Sequence, residues 1–199
     1  MIFRNLRILD KISLMNLSLK LLDYGNLSSN FLLLDKFRRI FILILYIEKT
    51  YKMKIAVGSD MKTHVTQKVI DWLREMGHEV TLYGALEEPG AMWSRVAIEV
   101  AEKVAKKEVD QAVLFCWTGT GIALAANKVK GIRAALCNDA ETARGARLWN
   151  DANILAMSLR LVSEQLAKEM LDVWFSTSPS DAGEDLACLE YLSEKEKTL

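Results

Sequence analysis

The chain has 199 residues, of which 51% are apolar, and its 26 basic side chains are balanced by 26 acidic ones. This length and apolar content predict one domain of ordinary size and argue against an intrinsically disordered chain. The neutral overall charge provides no electrostatic footprint for nucleic acid, so we expect no polyanion partner.

The composition changes at Met53. Residues 1–52 are rich in leucine, isoleucine, asparagine and arginine, and contain one glycine, Gly25, and no proline. Their longest apolar run, 40–47, is about a third of the length that spans a bilayer, and no small-residue cleavage site of a secretory signal follows it. We expect 1–52 to be a non-native leader or a poorly ordered extension, with Met53 as the functional start and no membrane partner. The alternative is an amphipathic extension that binds a membrane surface.

After Met53, strand and helix patterns alternate. Short apolar runs predict strands at 54–57, 79–83, 111–116, 132–137 and 154–157, and helical spacing predicts helices at 65–76, 97–105, 122–128, 140–148 and 166–175. This alternation predicts an α/β fold of three layers, with a parallel five-stranded sheet covered on both faces. Leucines three residues apart predict a final helix over 184–192, which packs on this subunit or on a partner.

Cys116 ends the third predicted strand and is followed by the glycine-rich segment 117–121. Parallel sheets present reactive groups at the carboxyl ends of their strands, and glycines there let backbone N–H groups approach a ligand's oxygens. We therefore hypothesise a thiol beside an oxyanion-binding loop, called here the cradle, which is formed by residues 117–121. The simpler interpretation is that Cys116 is a small buried hydrophobic residue.

The other two cysteines, Cys137 in a predicted strand and Cys188 on the tail helix, are interpreted as structural. The three cysteines have no C-x-x-C spacing, and the chain contains two histidines, His64 and His78. Neither a disulfide framework nor a zinc site is indicated. This cysteine usage is typical of a cytoplasmic protein.

Five ordered motifs resemble the ribose-5-phosphate isomerase B and galactose-6-phosphate isomerase family. They are KIAVGSD at 54–60, Cys116 with TGTG at 118–121, AANK at 125–128, GIRAALC at 131–137 and NDAN at 150–153. The resemblance implies a doubly wound, Rossmann-like fold and a homodimer or homotetramer with active sites at the subunit interface. It also implies aldose–ketose isomerisation of a sugar phosphate or related sugar, with no metal or other cofactor.

Carried over onto this chain, Cys116 resembles the family's base, which moves a proton between C1 and C2 through a cis-enediolate. The positive end of the following helix favours a thiolate there. Asp60 and Asn150 match positions that hold the sugar's ring oxygen and hydroxyls, although a cap and a turn are the alternatives. The family's anion hole corresponds to the backbone of Trp117, Thr118, Gly119, Thr120 and Gly121.

The chain departs from the family pattern at several positions. The family's ring-opening histidine is Trp149 here, a phosphate-contacting histidine is Met61, and a tyrosine is Trp93. The first glycine of the cradle is Trp117, and acidic residues replace the arginines of the tail. We expect Trp93, Trp117 and Trp149 to converge on the pocket, where their flat apolar faces can stack on a sugar.

These departures predict an altered substrate, which lacks phosphate, is already open-chain, or has its anionic group bound by Arg95, Arg144 or Arg147. For Arg144 and Arg147, however, a solvated helix face is the interpretation that we favour. His64 is either a replacement for the lost acid or a surface histidine. Besides an isomerase, the sequence leaves open a sugar or nucleotide sensor on the same fold, and an enzyme that uses Cys116 as a covalent nucleophile.

Overall fold

The computed structural model of the protein describes residues 52–198. The leader or extension expected at 1–52 lies, apart from Lys52, outside the described residues. None of the helices in the described range is long and apolar enough to cross a membrane.

The described chain contains a sheet of five parallel strands, as predicted. The strands are β1 (Lys54–Ser59), β2 (Glu79–Gly84), β3 (Gln111–Cys116), β4 (Ala134–Leu136) and β5 (Ile154–Ser158), in the order β2-β1-β3-β5-β4. After β1 the chain adds β2 on one side and then crosses back to form β3 on the other. The carboxyl ends of β1 and β3 therefore flank a topological switch point, where open α/β sheets bind ligands.

Helices cover both faces of this sheet, which confirms the predicted three-layer, doubly wound fold. They are α1 (His64–Glu75), α2 (Trp93–Ala105), α3 (Thr120–Ala126), α4 (Ala140–Asn150), α5 (Glu164–Ser176) and α6 (Gly183–Lys197). Alternate strand residues point to opposite faces. Phe115 belongs to the core cluster formed with α1, α4 and α5, whereas Leu114 and Cys116 belong to the cluster formed with α2 and α3.

Strand β4 lies at the sheet edge and is shorter than the predicted 132–137. The Asn127 side chain accepts a hydrogen bond from the Ala134 N–H and donates one to the Ala134 carbonyl, both at 2.8 Å. Just before the strand, the Arg133 N–H donates to Oδ1 of Asn153 at 2.9 Å. Side chains thus satisfy backbone groups that a longer strand would leave for pairing, which protects this edge.

Helix α6 confirms the predicted tail helix and extends it to Lys197. None of its described residues is buried, and Leu186, Tyr191 and Leu192 are 43%, 62% and 48% exposed. The expected packing of its apolar residues on this subunit is therefore slight within the described part of the chain. Packing on a partner stays a prediction.

Candidate active site

Cys116 is the last residue of β3 and lies between the ends of β1 and β5. Its neighbour Phe115 pairs with Ser59 of β1, and Cys116 itself pairs with Ser158 of β5. The residue is buried, with 5% of its surface exposed, and its side chain is on the α2 and α3 side of the sheet. The thiol therefore lies at the base of the loop that leads into α3, at the switch point of the sheet.

The loop after Cys116 turns sharply at Gly119, which has a φ of +74° and caps α3. A Cβ on Gly119 would lie 3.0 Å from the Met157 carbonyl carbon, so only glycine fits there. The Trp117 carbonyl accepts hydrogen bonds from the Ser158 hydroxyl at 3.0 Å and from the Arg160 N–H at 2.9 Å. These bonds fix the loop against the end of β5.

Beyond Gly119, the chain enters α3, whose first backbone N–H groups have no partner within the helix. The hydroxyls of Thr118 and Thr120 lie 2.7 Å apart and bond to each other. The segment 117–121 therefore combines free N–H donors, two hydroxyls and a glycine turn at one strand end. Such an arrangement can hold an oxyanion.

Two of the three predicted tryptophans lie at this cradle. Trp93 is the first residue of α2, and a Cβ on Gly121 would be 3.2 Å from its Cε3 atom. The indole therefore packs directly on Gly121, and a larger residue at 121 would displace it. Trp93 and Trp117 are 41% and 55% exposed, so both present apolar surface to a ligand.

Asp60 follows β1, on the other side of the switch point from Cys116 at the end of β3. Its Oδ1 atom is buried and has no hydrogen-bond partner. Burial raises the pKa of Asp60, and its hydrogen bond to its own backbone N–H offsets that increase only in part. A buried carboxylate oxygen without a donor is costly, and a ligand hydroxyl would satisfy it.

Trp149 and Asn150 are not brought to Cys116 of the same chain. Helix α4 runs antiparallel to the strands, so its last residues lie at the amino edge of the sheet, where the Asn150 carbonyl accepts from Nε of Arg133 at 3.0 Å. The strand segment from Ala112 to Cys116 alone spans about 13 Å. Only a second copy of the chain can bring Trp149 and Asn150 to this cradle, so their role stays a prediction.

The solvated helix face expected for Arg147 is wrong. Arg147 is 8% exposed, and its Nη1 donates to Oδ1 of Asp151 at 3.1 Å and to the Ala152 carbonyl. Its guanidinium lies 5.5 Å from the ring centroid of Trp174, and burial lowers the pKa of Arg147. Sequence periodicity placed this residue on an outer face, but the α4–α5 contact and the αL turn at Asp151 enclose it.

The other two candidate arginines differ. Arg144 forms an exposed ion pair with Glu141 at 2.9 Å, and its guanidinium lies 5.7 Å from the ring centroid of Trp149. This arginine fits the solvated face. Arg95 is exposed in the first turn of α2, two residues after Trp93, which places it on the carboxyl side of the sheet.

Neither histidine of the chain joins the cradle. His64 is 71% exposed and pairs through Nδ1 with the Glu164 side chain. His78 lies at the amino edge, where its Nδ1 accepts from the Met53 N–H at 3.3 Å and its ring lies 4.7 Å from that of Phe175. The prediction that His64 replaces a lost acid is not supported by a contact with the cradle. Among residues 52–198, no three metal-ligating side chains are grouped as they would be around a metal ion.

The structural interpretation of Cys137 is consistent with its surroundings. Its side chain is 1% exposed, and burial together with the nearby Asp139 carboxylate raises the pKa of Cys137 to about 12. Cys188 is exposed on α6. Cys116 is therefore the one cysteine of the three that ends a strand at the switch point.

Sequence reasoning missed Arg160. This exposed residue follows β5 at the carboxyl edge, and its N–H bonds to the Trp117 carbonyl at the cradle. Lys62, two residues after Asp60, is a second exposed cation at that edge. Both residues could have been found from the sequence by their position shortly after buried strands, because the carboxyl ends of parallel strands meet at one edge.

Comparison with known proteins matches residues 55–188 to the ribose/galactose isomerase family. Ribose-5-P isomerase B of Listeria innocua is 37% identical over 150 residues, which cover 73% of this chain and 100% of that protein. D-erythrulose-4-phosphate isomerase of Pectobacterium atrosepticum is 33% identical over 135 residues, 66% of this chain and 88% of that protein.

A solved structure gives the same result. Ribose-5-phosphate isomerase B of Clostridium thermocellum superposes with a TM-score of 0.69 and 37% identity, over 73% of this chain and 99% of that one. Sequence and fold agree over the range that holds Asp60, Cys116 and the cradle. The family resemblance found in the five motifs is thereby confirmed, and the chain belongs to the ribose/galactose isomerase family of aldose–ketose isomerases.

Proposed function

We propose that the chain interconverts an aldose and a ketose, acting on a sugar phosphate or related sugar through a cis-enediolate, with Cys116 as the base. The observation that carries this proposal is the position of Cys116. It ends β3 at the switch point, directly before the glycine turn and the N-terminus of α3. The chain's relatives include isomerases named for sugar phosphates of five and of four carbons.

In the proposed reaction, the Cys116 thiolate removes the proton from C2 of the open-chain aldose. The electrons of the C–H bond form the C1–C2 double bond, and the aldehyde oxygen O1 takes the negative charge. Backbone N–H groups of 117–121 stabilise that charge as it develops. A proton then moves from O2 to O1, the thiol returns its proton to C1, and C2 becomes the ketone.

Asp60 has a different role in this proposal. Its unpartnered Oδ1 accepts a hydrogen bond from a substrate hydroxyl and so orients the carbon chain relative to Cys116. The exposed indoles of Trp93 and Trp117 pack on the C–H faces of the sugar. Arg160 and Lys62 supply positive charge for an anionic substituent at the same edge.

We further propose that the active enzyme is a homodimer or homotetramer in which a second copy contributes Trp149 and Asn150 to the cradle. Exposed apolar side chains in the described residues support this, because large apolar side chains grouped at one edge favour an interface. Those at the carboxyl edge are Met61, Met92, Trp93, Trp117 and Leu161. A second copy seated there would cover them and exclude water from the reacting carbons.

Deuterium incorporation from D2O into aldoses and ketoses, followed by NMR with wild type and Cys116→Ser, tests the proposal. The base is expected to supply about 100-fold or more, so exchange and aldose–ketose conversion should fall by that factor in the variant. Cys137→Ser is the matched control, since it changes a second buried cysteine that lies away from the cradle. Equal exchange in wild type and Cys116→Ser would refute the thiol base.

The sugar or nucleotide sensor remains the second candidate because the cradle has no histidine. A sensor would bind a sugar, measured by calorimetry, while catalysing no deuterium exchange with any aldose or ketose. That outcome with a folded dimer would replace the isomerase proposal.

We also propose that the isomerase domain comprises residues 53–199 and acts in the cytoplasm, with 1–52 outside it. The family match begins at residue 55, and 73% of this chain accounts for the whole Listeria innocua protein. Mass spectrometry of the native N-terminus tests the boundary. A peptide that begins at Met1 would contradict the proposed start at Met53.

A further inference from the structure

We propose that the substrate is an open-chain sugar, one whose ring-closing hydroxyl is absent or blocked and whose far end carries an anionic group. This inference rests on the proposed isomerase function. Aldoses with a free hydroxyl at C4 or C5 close into rings, in which C1 is a hemiacetal carbon and no longer a carbonyl. Opening such a ring requires one group that protonates the ring oxygen and another that removes the proton of the anomeric hydroxyl.

The groups available for proton transfer at the cradle are few. Among the side chains that the structure describes there, the Cys116 thiol and the Asp60 carboxyl are the groups placed to transfer a proton at the substrate's carbon chain. The thiol is assigned to the carbon-bound proton and Lys62 to the anionic substituent, which leaves one carboxyl for both halves of a ring opening. His64 is paired with Glu164 on the surface, and His78 contacts Phe175 at the opposite edge.

A second copy does not remedy this shortage. In the proposed assembly it brings Trp149 and Asn150, the last residues of α4. The next residue, Asp151, is a carboxylate held in ion pairs with Arg133 and Arg147. An indole N–H donates a hydrogen bond but accepts none, and an amide does not titrate near neutral pH. The assembled site is therefore equipped to isomerise a free carbonyl and lacks a pair of groups that would open a ring.

The surroundings of the cradle also favour a short substrate with an anionic end. The indole of Trp93 packs on Gly121 and occupies space at the start of α3. Arg160, whose N–H bonds to the Trp117 carbonyl, is next to the same loop, and its guanidinium is exposed to bind phosphate or a similar group. An acyclic aldose with a terminal anion satisfies both features.

The test compares three phosphates with the full-length wild-type protein in D2O. D-ribose 5-phosphate forms a furanose through its C4 hydroxyl, whereas 4-deoxy-D-ribose 5-phosphate has the same length and cannot. D-erythrose 4-phosphate cannot close a furanose because its O4 carries the phosphate. The kcat/KM for the two acyclic phosphates is expected to exceed that for ribose 5-phosphate by about 100-fold or more.

A second measurement isolates ring opening itself. The rate at which the ribose 5-phosphate anomers interconvert, measured by NMR magnetisation transfer, is expected to be unchanged when the protein is added. Accelerated interconversion, or equal kcat/KM for ribose 5-phosphate and its 4-deoxy analogue, would overturn this inference while leaving the isomerase proposal intact. Failure of all three phosphates to exchange deuterium would overturn the isomerase proposal and this inference with it.

Discussion

The two ends of the strands are built differently: the amino edge, where the strands begin, and the carboxyl edge, where they end. At the amino edge, polar side chains bond to the chain's own backbone: Arg133 donates to the Asn150 and Asp151 carbonyls, and Arg147 donates to that of Ala152. At the carboxyl edge, Asp60 keeps a buried oxygen without a partner. Nε of Arg147 is also buried without a partner, but its Nη1 bonds to Asp151 and to the Ala152 carbonyl. The amino edge therefore still ties α4 to the start of β5, whereas the carboxyl edge leaves Oδ1 of Asp60 available to a ligand.

The largest expected effect is at Gly119. Gly119→Ala should destabilise the fold by about 3 kcal/mol, since it combines an unfavourable positive φ with overlap against the Met157 backbone. Chemical denaturation measures this loss. Gly77→Ala is the matched control, because Gly77 has a φ of +87° with nothing within 4 Å, and it should cost about 1 kcal/mol. Equal losses in the two variants would mean that the cradle is not tightly packed.

The next largest effect tests the amino edge. Arg147→Met keeps the packing on Trp174 but leaves the Ala152 carbonyl and Asp151 without this donor, and it should cost about 2 kcal/mol. Arg144→Met removes an exposed ion pair with Glu141 and should change stability by less than about 0.5 kcal/mol. Denaturation of both variants gives the comparison. If Arg144 proved the more important arginine, the amino-edge network would not be the stabilising element.

A smaller effect, of opposite sign, is expected at Asp60. Because the pKa of Asp60 is raised in the folded protein, its ionisation costs stability as the pH rises above the ordinary value of 3.8. Asp60→Asn should therefore raise Tm at pH 7, with a difference that vanishes below pH 3.8, while isomerase activity falls.

The control for Asp60 is the N-cap Asp139. Hydrogen bonds from Thr142 hold the pKa of Asp139 below its ordinary value of 3.8, so its stabilising contribution is present above that pH and is lost as the pH falls. Asp139→Ala should lower Tm at pH 7, and this difference should shrink in acid. If Asp60→Asn also lowered Tm at pH 7, the proposed substrate-binding role of the Asp60 carboxyl would be contradicted.

The smallest effect is expected away from both edges. Cys188→Ser should leave stability and turnover unchanged, because Cys188 is exposed on α6. Alkylation with iodoacetamide at pH 8, followed by mass spectrometry, should label Cys188 and spare the buried Cys137, whose pKa is raised to about 12. Protection of Cys188 would instead show that α6 is covered by a second copy.

Much of the fold follows from patterns that are local in the sequence. Apolar runs located all five strands, and glycines at a strand end marked the cradle at 117–121. The errors arose where a residue elsewhere in the chain determines the length of a strand or the burial of a side chain. Strand β4 begins only at Ala134 because the N–H of Arg133 before it donates to the Asn153 side chain, and Arg147 is buried because α5 packs over it.

The sequence by itself determined the α/β alternation, the family, and the position of Cys116 at the end of a strand before a glycine turn. These features depend on spacing along the chain and on the side chains themselves. Only the tertiary structure decided the strand order, the unpartnered oxygen of Asp60, and the separation of Trp149 and Asn150 from Cys116 by the length of the sheet. Strand pairing and helix packing join residues far apart in sequence, and periodicity carries no information about which of them meet.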